Sequence, residues 1–261
     1  MNLDLTGKRA LVCGSTQGIG FAAAAQLSKM GCSVTLMARN AAKLEEAVAL
    51  LDASQEQKHA FIVADFDHPA SVEEAISAYV TNEVIHILVN NTGGPPAGAA
   101  HLAKAEEFRI AFNQHLICNH ILAQHVIPGM RTSGYGRIIN VISTSVKQPL
   151  PNLGVSNTVR GAVANWAKTL ANELGPDQIT VNNILPGATD TGRLNSIISG
   201  KASKTGQEET AVRKSISDSV PLKRIGLPSE IANAIAFLAS PAASYISGVN
   251  LPVDGGRTSC L

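Results

Sequence analysis

Three glycines near the start of the chain have the spacing of a phosphate-binding turn. Gly14, Gly18 and Gly20 follow an apolar run at residues 9–13, and a helical pattern covers residues 18–30. Glycines let the chain turn tightly and approach a pyrophosphate, and the N–H groups at a helix start favour negative charge. The pattern therefore predicts a dinucleotide site, and the alternative is a turn of purely structural importance.

Short apolar runs alternate with longer helical patterns, and these elements must position the turn. The predicted strands cover residues 9–13, 33–38, 59–64, 86–90, 137–142, 180–184 and 250–253. The predicted helices cover residues 18–30, 41–51, 71–80, 105–130, 153–174 and 228–238. Such alternation is typical of a parallel sheet covered by helices on both faces. It predicts an α/β fold for residues 1–261, a single-domain doubly wound Rossmann fold with a mostly parallel seven-stranded sheet.

Residues 192–218 differ in composition from the rest of the chain. They are rich in Ser, Lys, Thr and Glu, and they follow the sixth strand at its carboxyl end, where ligands bind in such sheets. We interpret this segment as a substrate lid, and the alternative is an ordinary surface loop. Its five Arg and Lys residues exceed its three acidic ones, which favours an anionic or carrier-bound substrate.

Composition limits the classes of function. The net charge is +1 and aromatic residues make up 4% of the 261 residues, so no nucleic-acid partner is expected. Cys13, Cys32, Cys118 and Cys260 have no metal-ligand spacing, so we expect free thiols and no metal site. No stretch reaches the roughly 18 apolar residues of a membrane span. These features predict a cytoplasmic protein with no membrane partner.

Five short motifs follow one another along the chain. They are Cys13-Gly14-Ser15-Thr16-Gln17-Gly18-Ile19-Gly20, Asn90-Asn91-Thr92-Gly93, Gly136-Arg137-Ile138-Ile139-Asn140-Val141-Ile142-Ser143, Pro186-Gly187 and Val253-Asp254-Gly255-Gly256. In that order the motifs resemble the short-chain dehydrogenase/reductase family, close to the 3-oxoacyl-acyl-carrier-protein reductases. The resemblance runs from about residue 5 to about residue 256 and implies a nicotinamide cofactor and a small-molecule or carrier-bound carbonyl substrate. It also implies a homotetramer, in which the helices at 105–130 and 153–174 form the intersubunit bundle.

The resemblance implies a set of cofactor-binding residues along the carboxyl ends of the strands. Arg39 follows the second strand, and Ala38 stands where NAD-selective relatives have an acidic residue. A guanidinium suits a 2′-phosphate by charge and geometry, so NADP(H) is favoured over NAD(H), although Arg39 could also be a solvated surface residue. The complete set is Gly14, Ser15, Gln17, Gly18, Ile19, Gly20, Arg39, Asp65, Asn91, Thr92, Gly93, Arg160, Pro186, Gly187 and Thr189.

The catalytic positions of the family carry unusual residues in this chain. Ser143 matches the family serine, but Ser156 stands where the family has tyrosine and Arg160 where it has lysine. The family asparagine falls on His115. A serine hydroxyl is a poor proton donor, and a guanidinium keeps its proton, so Ser156 and Arg160 preserve binding better than chemistry.

Two functions fit these substitutions. The first is an NADP(H)-dependent oxidoreductase that reduces a carbonyl or oxidises a secondary alcohol, with a rebuilt proton relay. In that hypothesis His115 is the general acid, with a pKa near neutrality that the charge of Arg160 can bring below the ordinary value of about 6.5. The alternative is a buried histidine with a local hydrogen bond. The second function is a catalytically degenerate nucleotide-binding protein that acts as a sensor or partner subunit.

Overall fold

Seven parallel strands form one sheet in the computed structural model, which describes residues 1–260. The strand order is β3-β2-β1-β4-β5-β6-β7, and every neighbouring pair is parallel. The predicted doubly wound fold is confirmed, and the sheet is entirely rather than mostly parallel. The strands are β1 (Arg9–Cys13), β2 (Ser33–Ala38), β3 (Ala60–Val63), β4 (Ile87–Asn90), β5 (Gly136–Val141), β6 (Ile179–Pro186) and β7 (Asn250–Val253).

Nine α-helices accompany the strands within residues 1–260. Two of them, α7 and α8, lie in the segment predicted as a lid and were not predicted as helices. The predicted helix at 105–130 is divided into α4 and α5 by a π-helical turn at Asn113–Ile117. None of these helices combines the length and hydrophobicity that crossing a bilayer requires. They are α1 (Gly18–Lys29), α2 (Ala41–Ala49), α3 (Pro69–Val80), α4 (Ala105–Phe112), α5 (Cys118–Ser133), α6 (Gly154–Leu174), α7 (Gly192–Thr205), α8 (Glu209–Asp218) and α9 (Pro228–Ala239).

The five central strands are buried on both faces, and alternate residues contribute to two separate cores. Val12 and Val89 join a cluster with α1, α2 and α9, whereas Leu11 and Leu88 join a second cluster with α3, α5 and α6. Because successive side chains point to opposite faces, each central strand reads as a continuous apolar run. Strand β1 pairs with β2 on one side and β4 on the other, so the strand order reverses there and leaves a crevice at the carboxyl ends.

A ladder of four asparagines crosses the sheet on the face covered by α5 and α6. Asn90 donates to Asn140 at 2.9 Å, Asn140 to Asn183 at 2.9 Å, and Asn183 to Asn250 at 2.8 Å. The four residues are direct register partners on β4, β5, β6 and β7. Buried amides need partners, and the ladder gives each of the four at least one within the sheet, although Oδ1 of Asn90 at its end is buried without a partner.

The four cysteines are unpaired, as predicted. Cys13, Cys32 and Cys118 are buried and Cys260 is exposed. Burial raises the pKa of Cys32 and of Cys118 to about 12 and raises the pKa of Cys13 further. The buried thiols are therefore protonated and unreactive at neutral pH.

Replacing Asn140 tests the contribution of the ladder to stability. Asn140→Ala leaves the Nδ2 of Asn90 and the Oδ1 of Asn183 buried without their partners, which should lower the free energy of unfolding by about 2–5 kcal/mol. Asn250→Ala is the matched control, because it removes the partner of only one group, Nδ2 of Asn183, at the partly exposed end of the ladder. It should lower the free energy of unfolding by less than half as much. Urea denaturation measures both. Equal losses would show that the two interior bonds of Asn140 contribute no more than the single bond at the edge, which would contradict the prediction.

Candidate active site

The glycine turn after β1 is packed too closely for any side chain. Gly14 has φ +57°, and a Cβ atom added to it would lie 2.4 Å from the carbonyl oxygen of Asn91. A Cβ atom on Gly20 would lie 2.4 Å from the Gly14 carbonyl oxygen. The side chain of Gln17 does not cap α1. The first N–H groups of α1 are thus offered to a ligand, as the phosphate-binding prediction requires.

Two residues of this turn have side chains that pack inward. The hydroxyl of Ser15 is buried and accepts a hydrogen bond from the Met37 N–H at 3.1 Å, which holds the turn against β2. Ile19 is partly buried against the core beneath α1. That these two residues bind the cofactor stays a prediction.

Arg39 lies at the end of β2 with its side chain 74% exposed. Its guanidinium is 3.7 Å from the carboxylate of Asp67, a residue that the sequence analysis missed. An exposed pair at this distance contributes little, so Arg39 can turn to a phosphate. Asp65 accepts a hydrogen bond from the Asp67 N–H at 3.1 Å and lies 3.4 Å from His68, which fixes the loop after β3.

The end of β4 joins the glycine turn to the catalytic positions. Asn91 donates through Nδ2 to the carbonyls of Cys13 at 3.2 Å and Gly14 at 3.1 Å. The Thr92 hydroxyl lies 2.5 Å from Nδ1 of His115. A Cβ atom on Gly93 would meet nothing within 4 Å, so the space beside Gly93 is open. This strand end can therefore line a ligand.

The end of β6 is fixed against β7, and it brings the predicted lid to the glycine turn. A Cβ atom on Gly187 would lie 2.6 Å from Cα of Asp254. Thr189 is buried, and its hydroxyl donates to the Gly187 carbonyl at 3.1 Å, so its side chain is turned inward. Thr191, which the sequence analysis missed, caps α7 and lies 3.4 Å from the Cβ position of Gly18. Two helix starts, those of α1 and α7, thus face the same crevice.

Three of the predicted catalytic residues lie on β5 and α6. Ser143 follows β5, and its hydroxyl accepts a hydrogen bond from the Ser145 N–H at 3.1 Å. Ser156 is half-buried one turn before Arg160 on α6. Arg160 is 7% exposed and donates to the Val141 carbonyl at 3.2 Å, two residues before Ser143. Burial, and then the charge of Arg193, lowers the pKa of Arg160 to about 10, so Arg160 remains a cation at neutral pH.

His115 lies in the π-helical turn and is completely buried. Its Nδ1 meets Thr92, and its Nε2 has no partner within the described chain. Burial, followed by the charges of Arg160 and Arg193, lowers the pKa of His115 to about 2. The expectation that His115 titrates near neutrality is therefore wrong, because two neighbouring cations and the loss of water oppose a third charge. A neutral imidazole cannot deliver a proton as imidazolium would.

Arg193 is a site residue that the sequence analysis only counted among the charges of the lid. It lies in the first turn of α7, and its guanidinium donates to the Pro95 carbonyl in the loop after β4. The same guanidinium lies 3.6 Å from the Cβ position of Gly94. In the sequence, its place just after Thr191, a residue type that often begins a helix, could have indicated a helix start beside the site. Only the fold shows that the Arg193 side chain reaches across the crevice to the loop after β4.

Comparison with known proteins identifies the family. The sequence model described as "Enoyl-(Acyl carrier protein) reductase" matches residues 14–258. The 3-oxoacyl-[acyl-carrier-protein] reductase FabG of Rickettsia bellii is 34% identical over 256 residues, which are 97% of this chain and 98% of that protein. The chain belongs to the short-chain dehydrogenase/reductase family.

Two other similar proteins are reductases whose names or structures include NADPH. The NADPH-dependent reductase BacG of Bacillus subtilis is 26% identical over 98% of this chain and 100% of its own length. The L-sorbose reductase of Gluconobacter frateurii, solved with NADPH and L-sorbose, is 31% identical with a TM-score of 0.93, and the match covers both chains completely. The predicted oxidoreductase class and the preference for NADP(H) are therefore confirmed at the level of this family.

The buried His115 makes stability depend on pH. Because its folded pKa is about 2 and its unfolded pKa about 6.5, the unfolded chain binds the extra proton between these values. Stability is then complete above pH 6.5 and falls as the pH drops, by about 1.4 kcal/mol per pH unit for this group. His115→Gln should reduce this slope, and the exposed His101→Gln should not. Urea denaturation between pH 4.5 and 7.5 measures the slopes, and an unchanged slope in His115→Gln would contradict the assignment.

Proposed function

We propose that this chain is an NADPH-dependent reductase of a carbonyl group in a small-molecule or carrier-bound substrate, with the reverse oxidation of a secondary alcohol available to the same site. The observation that carries the proposal is the meeting of three strand ends. Thr92 after β4 contacts His115, Val141 at the end of β5 accepts from Arg160, and the segment after β6 leads into α7 beside Gly18. Cofactor and catalytic positions thus share one crevice.

We assign roles to the four altered positions by their chemistry. When bound, the reduced nicotinamide supplies a hydride. Ser143 and Ser156 can hold the substrate oxygen by hydrogen bonds, as hydroxyls do. Arg160 binds the nicotinamide ribose by analogy with the family lysine, and its fixed charge stabilises negative charge that develops on the oxygen.

His115 takes a positioning role in this proposal. As a neutral imidazole bonded to Thr92, it orients the end of β4 rather than donating a proton. Among the four positions no side chain is a competent acid near pH 7, so the proton comes from water. The altered tetrad therefore relies on electrostatic stabilisation more than on general acid catalysis.

The segment 192–218 fits a lid that belongs to the single domain proposed for residues 1–261. Helices α7 and α8 have a small core of their own, formed by Leu194, Ile198, Ala202 and Val212. The segment starts beside the glycine turn and contacts the loop after β4 through Arg193. A unit with its own core can move as one body over the crevice.

The predicted homotetramer and cytoplasmic location remain proposals. Exposed apolar side chains on α4 and on the following π-helical turn support the first, since Ile110 is 46% and Ile117 40% exposed. Association through this helical surface would cover them.

Arg39 should select NADPH over NADH. Arg39→Asp should weaken NADPH binding by about 1–3 kcal/mol, the scale of a charged hydrogen bond to phosphate, and leave NADH binding nearly unchanged. Asp67→Asn should tighten NADPH binding, because Arg39 loses its competing carboxylate. Lys58→Asp, on an exposed residue just before β3, is the control for the same change of charge. Fluorescence titration measures the affinities of the wild type and the three variants for both cofactors. An Arg39→Asp variant that loses equal affinity for NADPH and NADH would contradict the role of Arg39.

Restoring the family residues tests the reductase itself. Ser156→Tyr with Arg160→Lys introduces a phenol whose pKa a neighbouring lysine can lower, so the rate of NADPH oxidation with 3-oxoacyl thioesters or ketoses should rise, by up to roughly 10²–10⁴-fold. Ser156→Phe with Arg160→Lys is the matched control, because it adds the same ring without the hydroxyl.

The same assay separates the two candidate functions. A wild-type protein that oxidises NADPH with any of these carbonyls is an active reductase. A wild type that binds NADPH without turnover, together with a tyrosine variant no faster than the phenylalanine control, would favour the nucleotide-binding sensor or partner subunit.

A further inference from the structure

The loop between β6 and α7 is held by backbone hydrogen bonds to the segment that precedes α9. The Gly226 N–H donates to the Ala188 carbonyl at 2.9 Å, and the Asp190 N–H donates to the Gly226 carbonyl at 2.8 Å. Thr189 and Gly226 thus form an isolated parallel bridge. These bonds fix the backbone of residues 188–190 and leave the side chain of Asp190 available for another contact.

The Asp190 carboxylate is bound by an arginine of α8. Nη2 of Arg213 donates to Oδ1 of Asp190 at 2.6 Å, and Nη1 of Arg213 donates to Oδ1 of Asn195 at 3.2 Å. Asp190 precedes and Asn195 follows Thr191, the residue that caps α7. One guanidinium therefore braces the start of α7 on both sides of its cap.

This brace lies at a cavity of about 420 Å³ between α8 and the loop after β6. One polar face of α8 contributes to the lining, through Thr210, Arg213, Lys214 and Ser217. The neighbouring Lys214 pairs with Asp218 of its own helix at 2.9 Å, which is a local contact. Arg213 instead links both helices of the lid to the strand end from which the lid starts.

The start of α7 lies where the nicotinamide half of the cofactor is expected. The strands β2, β1, β4, β5 and β6 follow one another across the parallel sheet, so their carboxyl ends form one row. Arg39, the candidate for the 2′-phosphate, lies at the end of β2, and the glycine turn for the diphosphate follows β1. The other end of a bound cofactor then extends toward β5 and β6, where Ser143 and the segment 187–191 lie.

We propose that Arg213 is a positioning residue that holds the segment 187–191 and the start of α7 against the nicotinamide half of the bound cofactor. The proposal rests on the proposed reductase function and adds a residue to it. In this role Arg213 touches neither cofactor nor substrate and acts through Asp190 and Asn195. Its side chain is 41% exposed, so the ion pair is weak enough to break and re-form when the lid moves.

Two ligands that share the adenosine half of the cofactor test the proposal. NADPH reaches the segment 187–191, whereas adenosine 2′,5′-bisphosphate lacks the nicotinamide half and ends at the glycine turn. Arg213→Gln should weaken NADPH binding by roughly 3–10-fold, between the scales of an exposed ion pair and of a hydrogen bond between charged groups. It should change the affinity for the bisphosphate by less than about twofold, because the contacts of that ligand are untouched. Calorimetry measures both affinities without any turnover.

Three further variants assign the effect to the ion pair. Lys214→Gln removes the neighbouring charge from α8 and should leave both affinities unchanged. Asp190→Asn should weaken NADPH binding about as much as Arg213→Gln does. The variant that carries both Asp190→Asn and Arg213→Gln should bind NADPH no more weakly than Arg213→Gln alone, because both changes break one interaction.

The outcomes separate this role from the reductase function. Equal losses for NADPH and the bisphosphate, an unchanged NADPH affinity in Arg213→Gln, or the same loss in Lys214→Gln would each overturn the role of Arg213. Additive losses in the double variant would overturn it as well. A loss confined to NADPH, in a protein that oxidises NADPH with no carbonyl, would support the positioning of the nicotinamide half by Arg213 and refute the reductase function.

Discussion

The side-chain amide of Asn91 joins the two halves of the binding crevice. It donates to the carbonyls of Cys13 and Gly14, so the end of β4 is held against the turn after β1 where the strand order reverses. This close approach is why Gly14 and Gly20 have no room for a Cβ atom. It also fixes the neighbouring Thr92, and through Thr92 the buried His115. The predicted phosphate-binding turn and the predicted catalytic position His115 are therefore linked through one pair of hydrogen bonds.

The chemistry of the crevice is governed by positive charge rather than by acid groups. Arg160 keeps its proton, and His115 is held neutral by burial and by the two arginines. A titratable group in such surroundings cannot serve as a proton donor near neutral pH. The same charges are well suited to an oxygen that becomes negative during hydride transfer. The residues at 115, 156 and 160 are thus consistent with one another in the proposed reductase.

Much of the fold follows from the sequence, because the strands are apolar runs bounded by polar or turn-forming residues. The bounds predicted for β1, β2 and β7 are those of the structure. Helices α7 and α8 escape prediction because their small core uses only four buried apolar residues, which are divided between the two helices. The π-helical turn escapes it because one extra residue in a turn hardly changes a helical pattern.

The candidate site was less predictable, since it depends on orientations that only the packed chain determines. Ser15 lies in the expected turn, and its hydroxyl accepts a hydrogen bond from the backbone of β2 that the sequence did not indicate. The pKa of His115 depends on burial and on Arg193, which is 78 positions away in the chain (193 − 115). Residue type and spacing predicted where these residues lie and did not predict which way they point.

The asparagine ladder has a consequence for how the strands find their alignment. A slip of two residues between β5 and β6 would leave every apolar side chain on its correct face, so hydrophobic burial alone discriminates weakly against it. Such a slip would move the amides of Asn140 and Asn183 apart by roughly 6.6 Å, twice the rise per residue, and leave Nδ2 of Asn140 and Oδ1 of Asn183 buried without a partner. The ladder therefore favours one register among β4, β5, β6 and β7, and so fixes how the carboxyl ends of these four strands align.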